Sequence, residues 1–133
     1  MSFIGRGEER TVEILKKLYP SSRIFQQMPI RDLISNESWK QLGPEHSKHK
    51  HDIVVITTEK DIVIEVNYHH GGIAEAKSDV YKAYLNDAGF KFVTIDDHEC
   101  KFLFQLKDGK HDDSWQDWID VIYALEKAGV KPQ

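Results

Sequence analysis

The chain has 133 residues, 40% of them hydrophobic and 30% charged, with a formal net charge of −4 and a single cysteine. That length suits one domain with a proper core rather than two, and the composition is that of a soluble globular protein. The acidic balance excludes a protein that coats nucleic acid non-specifically, since such binding rests on phosphate neutralisation by Lys and Arg, and the lone Cys100 excludes an intrachain disulfide framework. No apolar run approaches the ~20 residues that cross a bilayer. The opening MSFIGRGEER has no signal-peptide apolar region, so the cytoplasm is the expected compartment and no membrane partner is expected.

Residues Gly7 to Tyr19 are expected to form a helix, with Val12, Leu15, Leu18 and Tyr19 at spacings of three and four and Pro20 as its stop. At about 100° per residue, Glu8 projects inside this apolar stripe and Glu9 onto its shoulder. Carboxylates there either favour the positive helix N-terminus or reach toward a site. Arg23 to Ile30 reads as a strand, and Pro29 places it near an edge. Arg31 to Ser47 reads as irregular, anchored by Leu33, Ile34, Trp39 and Leu42, with a turn at Gly43-Pro44. The tract Ser47-Lys48-His49-Lys50-His51 is locally basic, either a solvated approach to the next strand or a lip contacting phosphates.

Next come two strands rich in Ile and Val, Asp52 to Thr58 and Asp61 to Asn67. With Glu59-Lys60 as a two-residue turn, Thr58 faces Asp61 and Asp52 faces Asn67. Alternation then puts Asp52, Val54 and Ile56 on one face with Val63, Glu65 and Asn67. Glu65 becomes the diagonal neighbour of Asp52, about 7–8 Å away. Polar residues at strand ends are ordinary punctuation, but Glu65 interrupts an apolar run. Carboxylates in an apolar sheet are costly unless a cation compensates them, and a metal ion would do so. A three- or five-residue turn would shift the pairing and move Asp52 off the shared face.

Tyr68-His69-His70-Gly71-Gly72 then opens a helix from about Ile73 to Ala88. Its expected apolar face is Ile73, Ala76, Val80, Tyr84 and Ala88, with Lys77 inside that stripe and Gly89 ending it; Asp79, Lys82 and Asn86 fall on the polar side. Lys91 to Asp96 and Lys101 to Lys107 read as strands, with Cys100 as a small buried thiol at a strand edge. A last helix, about Asp112 to Ala128, would bury Trp115, Trp118, Ile119, Ile122 and Leu125 before Gly129. A helix lying between strands calls for a crossover, so the expected class is α/β: a mixed central sheet flanked by helices, in one domain over 1–133.

The order helix–strand–strand–strand–helix–strand, with Asp52 followed by Glu65-Val66-Asn67, resembles the PD-(D/E)XK nuclease superfamily. Within it the chain is most similar to small stand-alone members akin to the very-short-patch repair endonucleases. The matching residues are Glu65-Val66-Asn67, then His70, then Asp79-Val80-Tyr81-Lys82, then Ala88-Gly89-Phe90-Lys91-Phe92-Val93. Glu9-Arg10 looks like the first-helix Glu-Arg of junction-resolving relatives, although the helix projection prefers Glu8. The resemblance covers about residues 7–96 and leaves 97–133 as a C-terminal strand–helix extension. It implies an αβββαβ restriction-endonuclease-like core. It also implies Mg²⁺ or Mn²⁺ held by Asp52, Glu65 and the Val66 carbonyl, with a first-helix Glu (Glu8 or Glu9) assisting.

The activity so implied is hydrolysis of DNA phosphodiester bonds by an endonuclease, the ion polarising the phosphate and acidifying the attacking water. Lys48, His49, Lys50 and His69 are candidates for contacting DNA, and double-strand cleavage would call for a homodimer or a larger assembly. Asn67 departs from the family pattern, standing where a Lys or Asp is usual. An amide donates hydrogen bonds but brings no charge. Proton handling could pass to Lys77, or to His70 near neutral pH. Otherwise the domain is an inactive nuclease-fold module that binds nucleic acid or a protein. A zinc site made from His46, His49, His51, His69 and His70 is a further alternative, although no cysteine assists it.

Overall fold

The structure is a computed structural model describing residues 7–43, 50–67, 72–96, 99–101, 103 and 116–130, apart from the side chains of 67 and 72–78. It is a mixed α/β fold. Helix α1 (Glu8–Leu18) leads into strand β1 (Arg23–Pro29), a 3-10 turn (Ile30–Asp32) and helix α2 (Asn36–Leu42). Strands β2 (Lys50–Ile56) and β3 (Asp61–Asn67), helix α3 (Gly72–Asp87), strand β4 (Phe90–Asp96) and helix α4 (Gln116–Lys127) follow. The sheet order is β1-β2-β3-β4; β1, β2 and β3 run antiparallel, and β4 joins β3 in parallel after α3.

Each helix face explains its place. Val12, Ile14, Leu15 and Tyr19 of α1 and Val121, Ala124 and Leu125 of α4 share one core with Ile53, Val55, Ile62, Ile64, Val93 and Ile95. On the other face Leu42 of α2 and Tyr81 and Leu85 of α3 pack with Ile30, Val54 and Val63. Strands β2 and β3 are therefore buried on both sides, which is why their sequences read as near-continuous Ile and Val rather than alternating. Strand β1 lies at a sheet edge, as Pro29 required.

Several expectations are corrected. The stretch expected to be irregular from Arg31 contains α2, capped by Ser35, whose hydroxyl accepts from the Ser38 N–H at 3.1 Å. The hairpin turn is not two residues long: Ile56 pairs with Asp61 and Ile53 with Ile64, so Thr57–Lys60 forms the connection. Its tightness comes from the Thr57 hydroxyl oxygen, which accepts from the Lys60 N–H at 2.7 Å and the Glu59 N–H at 3.2 Å. Val80 is 44% exposed and Ala88 is exposed, so the buried face of α3 turns toward Tyr81 and Leu85.

On α4, Ile119 is 49% exposed, while Asp117 and Asp120 are buried. Both carboxylates have partners that a helical wheel cannot see. Asp117 receives the Arg10 guanidinium from α1, at 2.5 and 3.3 Å, and Asp120 Oδ2 accepts from the Leu103 N–H at 3.0 Å. The thiol of Cys100 is buried as expected, and desolvation pushes its pKa up to about 12. Of the expected Lys101–Lys107 strand only Lys101 and Leu103 lie within the described residues, as turn positions, and Trp115 lies outside them. No helix among the described residues is long and apolar enough to cross a membrane.

Candidate metal centre

Near the end of the hairpin away from Thr57–Lys60, Asp52 lies within electrostatic reach of two carboxylates from other elements, Glu8 and Glu65. Glu8 comes from the first turn of α1 and is 1% exposed; Glu65 of β3 is 7% exposed; Asp52 of β2 is half-buried between them. Glu9, the other first-helix candidate, is exposed, so the helix projection that favoured Glu8 holds.

The strands are shaped to make this meeting. Backbone pairing of β2 with β3 runs from Ile56↔Asp61 to Ile53↔Ile64. One residue beyond it, the Asp52 side chain takes over: its Oδ2 accepts from the Val66 N–H at 2.7 Å. Asp52 thus sits in the gap where the strands part. Against β1 the register is unbroken on either side, Gln26↔Ile53 and Met28↔His51, but the rung between them, Gln27 with Asp52, is missing.

Gln27 adopts a φ of 57°, the positive-φ non-glycine residue among those described. Such a conformation costs about 1–3 kcal/mol and persists only where surrounding contacts enforce it. Its effect is to break the alternation of side chains. Gln26 and Gln27, though adjacent, both turn to Glu8: Gln26 Nε2 donates to Oε2 at 2.9 Å and Gln27 Nε2 to Oε1 at 3.0 Å. The Gln27 amide also donates to Asp52 Oδ1 at 3.3 Å. On β2 the same break lets Ile53 join the α1–α4 core while His51 joins Tyr81 and Glu65 on the opposite face.

This corrects the expected shared face. Val54 and Ile56 pack with the α2–α3 cluster, whereas Asp52 turns toward Glu8 on the α1 side. Glu65 keeps to the α3 side, with its partner in β4 being Thr94. There wholly buried His51 pairs through Nδ1 with Glu65 Oε1 and meets the Tyr81 ring edge-to-face at 5.7 Å. Burial and the Glu65 charge raise the Tyr81 pKa.

Asp52 still responds to both neighbours. Its pKa rises to about 7, chiefly through desolvation and then through the charges of Glu65 and Glu8, against the opposing hydrogen bonds from Val66 and Gln27. Among the described residues no three His, Cys, Asp or Glu side chains stand as a ready coordination sphere. The donors that fit a hard cation are the Asp52 and Glu65 oxygens and the Val66 carbonyl, with Glu8 joined to Asp52 through the Gln27 amide.

The other candidates divide. Lys50 is exposed at the start of β2, and Asp79 and Lys82 are exposed on α3. Asn67 pairs in register with Asp96, and Lys77 lies on α3, but the side chains of both fall outside the described residues. His46, Lys48, His49, His69 and His70 lie outside them altogether. The residues that sequence reasoning missed are Gln26, Gln27 and the pairing of His51 with Glu65. One signal was available: two consecutive polar amides in the strand RIFQQMP break its alternation. The chain matches no protein-family model, no curated protein and no solved structure.

Proposed function

We propose that this chain is a Mg²⁺- or Mn²⁺-dependent endonuclease hydrolysing DNA phosphodiester bonds, with the αβββαβ core of the PD-(D/E)XK superfamily interrupted by α2. The observation that carries the reading is Asp52, largely withdrawn from water at the end of the hairpin within electrostatic reach of both Glu65 and Glu8. Buried carboxylates within mutual electrostatic reach are costly, and a divalent ion would offset their charge. When bound, the ion supplies Lewis acidity to the phosphate and to water.

The chain's own residues then have distinct tasks. Asp52 and Glu65 would hold the ion with the Val66 carbonyl, while Asp52 Oδ2 also accepts from the Val66 N–H of the preceding peptide. His51 and Tyr81 keep Glu65 in place from the α3 side. An amide at position 67 brings no charge, so the proton would fall to Lys77 or His70. Exposed Lys50, with Lys48, His49 and His69, contacts DNA phosphates, and double-strand cleavage uses a homodimer or a larger assembly.

Nicking of supercoiled plasmid with Mg²⁺ or Mn²⁺ tests this reading. Asp52→Ala and Glu65→Ala should each lower the rate by about 100-fold or more. Absence of nicking with either ion, or nicking indifferent to both changes, removes the proposal.

One observation favours a second reading, an inactive module that binds nucleic acid or a protein partner. The carboxylates are already served by neutral amides and an imidazole, and Asn67 stands at the lysine position. A module of that kind would show no Mn²⁺ binding dependent on Asp52 and Glu65.

A further inference from the structure

Helix α2 has no part in the chemistry proposed above, yet an exposed cation is seated on it. The Arg31 guanidinium, from the 3-10 turn, lies over the Trp39 ring of α2 with Cζ 5.8 Å from the ring centre. We propose that Arg31 on Trp39 is a phosphate-contacting group for duplex DNA, extending the basic lip at Lys50 past β1 onto α2. This rests on the DNA reading above and does not involve the ion.

The register puts the two cations at one end of the sheet. Lys50 pairs with Pro29 at the end of β1, and Pro29 caps the turn that begins at Ile30. Arg31 therefore leaves the sheet where Lys50 enters it, and both residues are exposed. Beneath Arg31 the platform is fixed: half-buried Trp39 packs with Leu33 against a cluster that includes buried Ile30 and Leu42. A cation is attracted to the face of such a ring. That holds the long arginine stem in place, so less freedom is lost when it takes a ligand. Stacking uses the face of the guanidinium and leaves its in-plane N–H groups, a fork that matches two oxygens of one phosphate. Among the described residues no carboxylate pairs with Arg31, although Asp32 and Glu37 are exposed on the same two elements. With the cation on its face and the core behind it, Trp39 offers no platform to a base. The contact is therefore with the DNA backbone and blind to sequence.

The test is equilibrium binding of the full chain to labelled duplexes of unrelated sequence, titrated with salt in EDTA so that nothing is cleaved. Arg31→Gln should weaken binding roughly 3–10-fold on every sequence and lower the salt slope of log K by about 0.9, the counterion share of one phosphate. Lys60→Gln removes an equally exposed charge at the opposite end of the hairpin and should leave both quantities unchanged. Arg31→Lys should keep the slope but lose part of the affinity, because an ammonium lacks the planar fork that the ring holds. Parental affinity in Arg31→Lys would overturn the part given to Trp39. Losses in Arg31→Gln no larger than those in Lys60→Gln, or confined to one sequence, would overturn the proposal while leaving the DNA reading standing. Absence of duplex binding by the parent would overturn both.

Discussion

Asp52 is a carboxylate whose surroundings disfavour its charge. Its carboxyl is raised from 3.8 to about 7, first by desolvation and then by Glu65 and Glu8. In the unfolded chain it ionises near its ordinary value, so between about pH 4 and pH 7 the folded state holds a proton that the unfolded state has released. Stability contributed by this group is therefore greatest below pH 4, falls as the pH rises through that window, and is flat above it. In the metal-free protein the loss should be on the order of 1–2 kcal/mol, after allowing for the half-exposed carboxyl. Urea denaturation at intervals from pH 4 to 8 should show that slope, and Asp52→Ala should abolish this component. A saturating divalent ion should remove it too, by favouring the ionised form.

Elements show where sequence patterns stop being informative. The helices α1, α3 and α4 and all four described strands were legible, because their apolar spacing and stop signals are local. Helix α2 was hidden by its length, Asn36–Leu42, which carries barely two turns of pattern; its one local signal was Ser35 as a cap. The hairpin register was hidden for another reason. With β2 and β3 buried on both faces, a shift of the turn leaves an equally apolar pairing, so only the Thr57 hydroxyl contacts decide it.

The buried face of α4 was misjudged because Arg10 lies far away in sequence. That guanidinium hydrogen-bonds Asp117, which raises its pKa, and also reaches Glu13 at 3.0 Å. Removing one partner from a buried pair leaves an uncompensated charge, at roughly 3–5 kcal/mol. Arg10→Met alone should thus cost several kcal/mol in urea denaturation, whereas Arg10→Met with Asp117→Leu should recover most of that loss. Equal losses in the single and double variants would show that α1 and α4 depend on the charges themselves.

At the scale of the molecule, the sequence suggested a core of about 7–96 with a later extension, and the packing qualifies what extension can mean. Leu125 and Val121 of α4 are wholly buried in one cluster with Ile14 and Leu15 of α1 and with Ile53, Ile62, Ile64, Val93 and Ile95 of the sheet. The α1 helix that carries Glu8 is therefore held by the sheet on one side and by α4, through Arg10 and Asp117, on another. Glu8 can meet Asp52 only while that layer is complete. Leu125→Ala, a buried truncation on α4, should cost about 2–5 kcal/mol. Because the cluster is shared, tryptophan fluorescence and far-ultraviolet circular dichroism should report one coincident unfolding transition, shifted as a whole to lower urea. A separate early transition for α4, with the sheet and α1 still folded, would mean that α4 is an independent appendage. The same experiment with saturating Mn²⁺ adds the functional link. If α4 holds α1 in place for Glu8, the ion should raise the midpoint of the parent and, by a similar increment, that of folded Leu125→Ala, since both present the same carboxylates until the common core gives way.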